Sequence, residues 1–127
     1  MTGNSKNKMS ALIVDDDKVV RRVHGKLLTQ LGFETNAVEN GQEAVDLFTS
    51  GECYDFVFMD MEMPIMDGTE ATQKLREMGV KSTIVGVTSC NVEAKKQAFM
   101  EAGLYACLEK PLTRDAISSL LEQVTKK

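Results

Sequence analysis

The stretch YDFVFMDMEMPIMDG, residues 54–68, decides the architecture. Tyr54 to Met59 is almost wholly apolar and lacks the alternation of a strand with one wet face, so it reads as a central strand covered on both sides. The run stops at Asp60. Pro64 and Gly68 then make residues 61–68 a loop, and Thr69 to Met78 reads as a helix.

The same alternation extends in both directions. Ala11 to Val14 is a short apolar run that stops at Asp15, Asp16 and Asp17, after which Val20, Val23, Leu27 and Leu31 recur at helical spacing. Phe33 to Val38 is a weaker strand. Asn40 and Gly41 punctuate, and Ala44, Val45, Leu47 and Phe48 give a second helix ending near Gly51. On the other side, Thr83 to Val87 is β-branched and apolar, Val92 to Ala102 is a helix closed by Gly103, Ala106 to Lys110 is a strand stopped by Pro111, and Arg114 to Thr125 is a last helix. Five such units predict an α/β fold, a five-stranded parallel sheet with helices on both faces, because right-handed crossovers return each helix onto the sheet.

Composition sets the limits. At 127 residues, 43% hydrophobic and 27% charged, the chain supports one core without disulfides or structural metals. A net charge of −4 has the wrong sign for a nucleic-acid or anionic-membrane partner. No apolar run approaches the roughly 20 residues of a membrane helix, and the start MTGNSKNKMS has no apolar signal core, so an intracellular protein is expected. Cys53, Cys90 and Cys107 are widely spaced and read as reduced thiols.

Ligands of parallel α/β sheets bind at the carboxyl ends of the strands. Here those ends carry Asp15, Asp16 and Asp17 after the first strand, Asp60 after the third, Thr88 and Ser89 after the fourth and Lys110 after the fifth. Three converging carboxylates repel one another unless a hard cation neutralises them, and Mg²⁺ suits such an oxygen set. A lysine and a hydroxyl facing the same opening fit phosphoryl transfer, with a carboxylate able to serve as nucleophile. No glycine-rich phosphate cradle accompanies them, so the phosphoryl group should arrive on another molecule. Asp17 is expected to cap the first helix. Met59, Met61, Met63 and Met66 are expected to pack in the core and loop. His24, in the first helix, is expected to face solvent, since a phosphotransfer histidine would belong to an all-helical bundle.

In order and at compatible strand ends, the segments LIVDDD, FVFMDMEMPIMDG, IVGVTS and CLEKPL resemble the receiver domain of two-component response regulators over essentially the whole chain. KLREMGVKSTIVGVTS and AFMEAGLYACLEKPLT narrow the likeness to the type-C, stand-alone response regulators of plants. The resemblance implies a flavodoxin-like (β/α)5 fold, a three-layer doubly wound sandwich with strand order 2-1-3-4-5. It implies a receiver over residues 9–127, a flexible polar N-terminus over residues 1–8, and no output domain. Asp60 would be the phosphoacceptor nucleophile, with Thr88 and Lys110 contacting the phosphoryl oxygens. Asp16 would ligate Mg²⁺ directly and Asp15 through water, joined by Asp60 and the backbone carbonyl of Glu62; Mn²⁺ would substitute. A cis Lys110–Pro111 bond is implied as well.

Three positions depart from the common pattern or vary within the family. Cys107 stands where most receivers carry a switch aromatic, and Tyr105 has the opposite strand parity, so the usual coupling of the Thr88 hydroxyl to a rotating ring is not expected. Glu62 and Cys90 flank the path of an attacking water and should tune the lifetime of the acyl phosphate.

The implied function is transfer from a phosphohistidine of a histidine-containing phosphotransfer protein to Asp60, followed by hydrolysis. The chain would then be a sink, in effect a phosphohistidine phosphatase and not a kinase, in cytokinin-type signalling. A hybrid histidine kinase would act upstream. The alternatives are a phosphorylation-switched diffusible binding module and a receiver fragment of a hybrid histidine kinase. A cytoplasmic monomer, also found in the nucleus, is expected. The docking face would surround Asp60 and the first helix, with Val19, Val20 and Val23 as its apolar candidates, although Val20 and Val23 are assigned mainly to the core.

Overall fold

The computed structural model describes residues 8–125. The expected N-terminal segment therefore lies, up to residue 7, outside the described residues. The chain runs β1 (Ser10–Val14), α1 (Lys18–Gln30), β2 (Glu34–Val38), α2 (Gly41–Thr49), β3 (Phe56–Asp60), α3 (Gly68–Glu77), β4 (Thr83–Thr88), α4 (Glu93–Glu101), β5 (Ala106–Glu109) and α5 (Arg114–Thr125). All strand pairs are parallel and the order is β2-β1-β3-β4-β5, as the resemblance implies.

Strand periodicity divides the core into two layers. Leu12, Val14, Val57, Met59 and Ile84 meet Ala44 and Val45 of α2, Ala71 and Leu75 of α3 and Phe99 of α4 on one face. Ala11, Ile13, Phe56, Phe58, Val85 and Val87 meet Leu28 of α1 and Ile117 and Leu120 of α5 on the other. Every residue of β3 is buried, as its unbroken apolar run predicts, whereas β2 is an exposed edge strand. Met59, Met61 and Met66 are core residues and Met63 packs against them. No helix among the described residues is long and apolar enough to cross a membrane.

Local chemistry explains where the helices start. Asp17 caps α1 through Oδ1, which accepts from the N–H groups of Val19 and Val20 at 2.8 and 3.2 Å. Asn40 caps α2 and Asp67 caps α3, each accepting at 2.9 Å from the residue three positions on. β3 starts at Phe56 and not Tyr54, because Asp55 turns aside to accept from Ser10 N–H at 2.8 Å.

Two expectations for α1 fail. His24 does not face solvent: it is 2% exposed, while Val23, assigned to the core, is 50% exposed. The buried face of α1 centres on His24 and Leu28, one helical turn apart, and each step along the chain turns the side chain by about 100°, which carries Val23 outward. A polar residue takes this core position because a backbone donor buried under α1 requires an acceptor there. Val19 also points outward and Val20 is half-buried.

Gly68 begins α3 where the chain returns past the end of β3, and a Cβ there would run into the carbonyl oxygen of Asp60. Backbone cannot yield as a side-chain end can. Gly68→Ala is predicted to destabilise the fold by about 2–3 kcal/mol, the upper range of overpacking costs, measured by urea denaturation.

Candidate active site

The carboxyl ends of β1, β3, β4 and β5 gather the polar groups singled out in the sequence. Asp15 and Asp60 are 2% and 6% exposed, and Asp16 is exposed beside them. One carboxylate oxygen from each of Asp15, Asp16 and Asp60 lies within 4.8 Å of the others. Parallel pairing causes this convergence, since Val14 sits opposite Met59 and each strand delivers its next residue to the same edge. Lys110, just beyond β5, reaches back so that Nζ lies 2.9 Å from Asp15 Oδ2 and 3.0 Å from Asp60 Oδ1.

The electrostatics are unbalanced. Burial is the main reason that the Asp60 carboxyl is pushed up from 3.8 to about 6, and the charge of Asp15 adds to it while Lys110 opposes. Burial also disfavours the Lys110 ammonium, but its bonds to Asp15 and Asp60 and their charges outweigh that, leaving its pKa above the ordinary lysine value. Three oxygen donors short of positive charge fit a small hard divalent cation. The donor set, with no sulfur or imidazole in it, argues against a softer metal.

Around this cluster the supporting bonds are short. Asp15 Oδ1 accepts from Asp17 N–H at 2.9 Å, tightening the turn that presents Asp16. Thr88, 5% exposed at the end of β4, accepts through Oγ1 from Cys90 N–H at 3.0 Å, which leaves its own hydroxyl hydrogen free to donate. Ser89 is exposed. Glu62 is exposed, and its carboxylate pairs with Lys95 of α4 at 3.5 Å. Cys107 sits opposite Gly86 of β4 and packs into the layer beneath α4, where burial pushes its thiol above the ordinary value. Tyr105 is 44% exposed. The three cysteines are free, and the Lys110–Pro111 bond is cis.

Sequence reasoning missed two residues. Arg21 NH1 donates to the carbonyl oxygen of Asp15 at 2.8 Å, fixing the backbone that carries the acidic pair. His24 Nε2 accepts from Leu112 N–H at 3.1 Å. Arg21 was signalled only by lying about one turn into the helix after the acidic pair. His24 was signalled only by its spacing, four residues after Val20 and three before Leu27, a spacing that Val23 shares in part.

Residues 11–122 match the family described as the response regulator receiver domain, and the chain belongs to that family. Two-component response regulator 24 of Arabidopsis thaliana is 49% identical over 120 residues, covering 94% of this chain and 86% of that protein. The plant likeness read from residues 74–89 and 98–113 agrees with this. Among solved structures, the receiver domain of sensor histidine kinase PA1611 from Pseudomonas aeruginosa PAO1 has a TM-score of 0.81 at 28% identity, covering 91% of this chain and 96% of that one. It holds a magnesium ion coordinated in its active site cleft. A chain in the co-crystal structure of the Saccharomyces cerevisiae histidine phosphotransfer protein Ypd1 with the receiver domain of Ssk1 also gives a TM-score of 0.81, at 26% identity over 91% of this chain and 88% of that one.

The raised pKa of Asp60 has a stability consequence with a definite sign. The folded state binds this proton more tightly than the unfolded chain, so the contribution of Asp60 favours folding below pH 3.8 and is lost as the pH rises through about 6. At pH 7 without divalent cations, Asp60→Asn is therefore predicted to raise stability by about 1–3 kcal/mol, measured by urea denaturation in EDTA. A destabilised variant would show that the bond from Lys110 outweighs burial and repulsion.

Proposed function

We propose that this receiver takes a phosphoryl group from a phosphohistidine of a histidine-containing phosphotransfer protein onto Asp60 and then hydrolyses it, draining a cytokinin-type phosphorelay. The observation that carries this reading is the convergence of Asp15, Asp16 and Asp60 within 4.8 Å around an edge where Lys110 bonds both buried carboxylates.

A carboxylate oxygen of Asp60 attacks phosphorus. The phosphorus–nitrogen bond to the donor imidazole breaks, its electron pair stays on the ring nitrogen, and that nitrogen takes a proton from solvent. Lys110 moves from carboxylate oxygens to the oxygens of the arriving group, and the Thr88 hydroxyl donates to the same group. Asp16 directly, Asp15 through water, Asp60 and the backbone carbonyl of Glu62 would hold Mg²⁺, or Mn²⁺ in its place. When bound, such an ion offsets carboxylate repulsion and the charge on the phosphoryl oxygens. A water oxygen then attacks phosphorus, the acyl–phosphate bond breaks, and inorganic phosphate leaves with the Asp60 carboxylate restored.

The sink reading is supported by Cys107. The half-buried thiol occupies the place of the ring that usually follows the Thr88 hydroxyl, and Tyr105 lies outside. A receiver without that ring lacks the usual route from the site to the α4–β5–α5 surface. Glu62, whose carboxylate pairs with Lys95, and Cys90 would tune the access of water to the acyl phosphate. The phosphotransfer partner would dock over α1, where Val19 and Val23 are exposed beside the acidic edge.

Incubation with a labelled phosphohistidine protein tests this directly. Wild type with Mg²⁺ is predicted to convert the label to free phosphate, Asp60→Asn and EDTA to abolish the loss, and Lys110→Ala to slow it by about 10²-fold while the fold is retained, in line with loss of a charge-stabilising donor. Stable label on wild type would favour the diffusible messenger. Loss of label through Asp60→Asn would contradict the assignment of the acceptor.

A further inference from the structure

His24 is the chain's one histidine, it is buried, and no step at Asp60 uses it. Its one side-chain hydrogen bond among the described residues spans 88 residues, from α1 to the backbone N–H of Leu112 at 3.1 Å. Leu112 closes the turn that begins with Lys110. The backbone of Lys110 is tied on one side, where its N–H donates to the Thr88 carbonyl at 3.2 Å. Pro111 has no N–H, so Leu112 carries the first backbone donor after Lys110, and His24 is its acceptor. The Leu112 side chain is buried in the α1–α5 layer, which fixes the far end of the turn to the core.

We propose that His24 is a positioning residue for phosphoryl transfer: by accepting from Leu112 N–H it holds the turn that aims Lys110 Nζ between Asp15 and Asp60. The inference rests on the reading of Lys110 as a contact of the transferred group. Burial keeps the imidazole pKa below its ordinary value, against the pull of Asp15 and with that of Lys110, which leaves the Nε2 lone pair available. A leucine would fill the same space beside the sheet, but it would leave the Leu112 N–H buried without a partner. The geometry therefore assigns His24 work that packing alone does not need. Lys110 has two carboxylates to bond at rest, and it must leave both for a phosphoryl group at a defined place, so the position of its backbone matters most during transfer.

The experiment compares wild type, His24→Leu and His24→Gln, each alone and with Lys110→Ala, with acetyl phosphate as donor and Mg²⁺ present, at a temperature where all variants are folded. His24→Leu should lower the maximal rate of uptake by on the order of tenfold with the donor KM little changed, within the hundredfold that about 1 Å of misplacement costs. His24→Gln, which keeps an acceptor, should recover most of the rate. With Lys110→Ala, the leucine change should cost nothing further. Wild-type uptake by His24→Leu, or an equal loss in both backgrounds, would overturn the proposal. The Lys110 ammonium resonance in metal-free protein gives a second readout that needs no activity: His24→Leu should shift it and His24→Gln should not. If wild type itself takes up no phosphate, the reading of Asp60 fails, and an unmoved resonance would reject the role of His24 independently. Should His24→Leu not fold, His24→Met replaces the imidazole by a far weaker acceptor on a more adaptable side chain, and the same loss of rate and shift of resonance, smaller in size, is expected.

Discussion

Asp15 and Asp60 share one ammonium. Lys110 Nζ lies 2.9 and 3.0 Å from their oxygens, and Asp16 adds a third carboxylate beside them. Inside the sheet edge buried negative charge is costly, and the rise of the Asp60 pKa to about 6 expresses burial first and the charge of Asp15 second. The arrangement persists because the surrounding structure determines it. β1 and β3 are neighbours in a parallel sheet, their final residues must emerge side by side, and the apolar runs Ala11–Val14 and Phe56–Met59 cannot shift without exposing core residues.

The same constraint explains the chemistry. Charge held out of balance at rest can be relieved by a hard cation, and on the proposed reading a phosphoryl group would find a carboxylate nucleophile and a lysine already beside it. Asp17, Arg21 and His24 act one layer out. Asp17 starts α1, Arg21 holds the Asp15 carbonyl, and His24 holds the turn after Lys110. All three belong to the loop after β1 and to α1, so the first helix serves both as support for the cluster and as the face that presents Val19 and Val23 beside it.

What could be read in the sequence follows from where each signal is stored. Asp60, Asp15, Thr88 and Lys110 were legible because each sits at the end of an apolar run, and strand ends of a parallel sheet share an edge by topology. The Asp17 cap was legible because capping is local. The inward face of α1 was not, since valine and histidine at positions 23 and 24 could only be ranked by hydrophobicity, and the bond that decides in favour of His24 comes from Leu112, far along the chain. Arg21 was hidden for a similar reason: its partner is a backbone carbonyl, which carries no residue signature. Strand limits shifted where side chains such as Asp55 took over backbone bonds.

The central claim is that Asp60 becomes an acyl phosphate. Borohydride reduces an acyl phosphate to the alcohol, so treating the protein during turnover with the phosphohistidine donor and then mapping peptides by mass marks the acceptor. The account predicts homoserine at position 60 alone. Reduction at Asp15, Asp16 or Asp67 instead, or phosphate retained on His24, would contradict it.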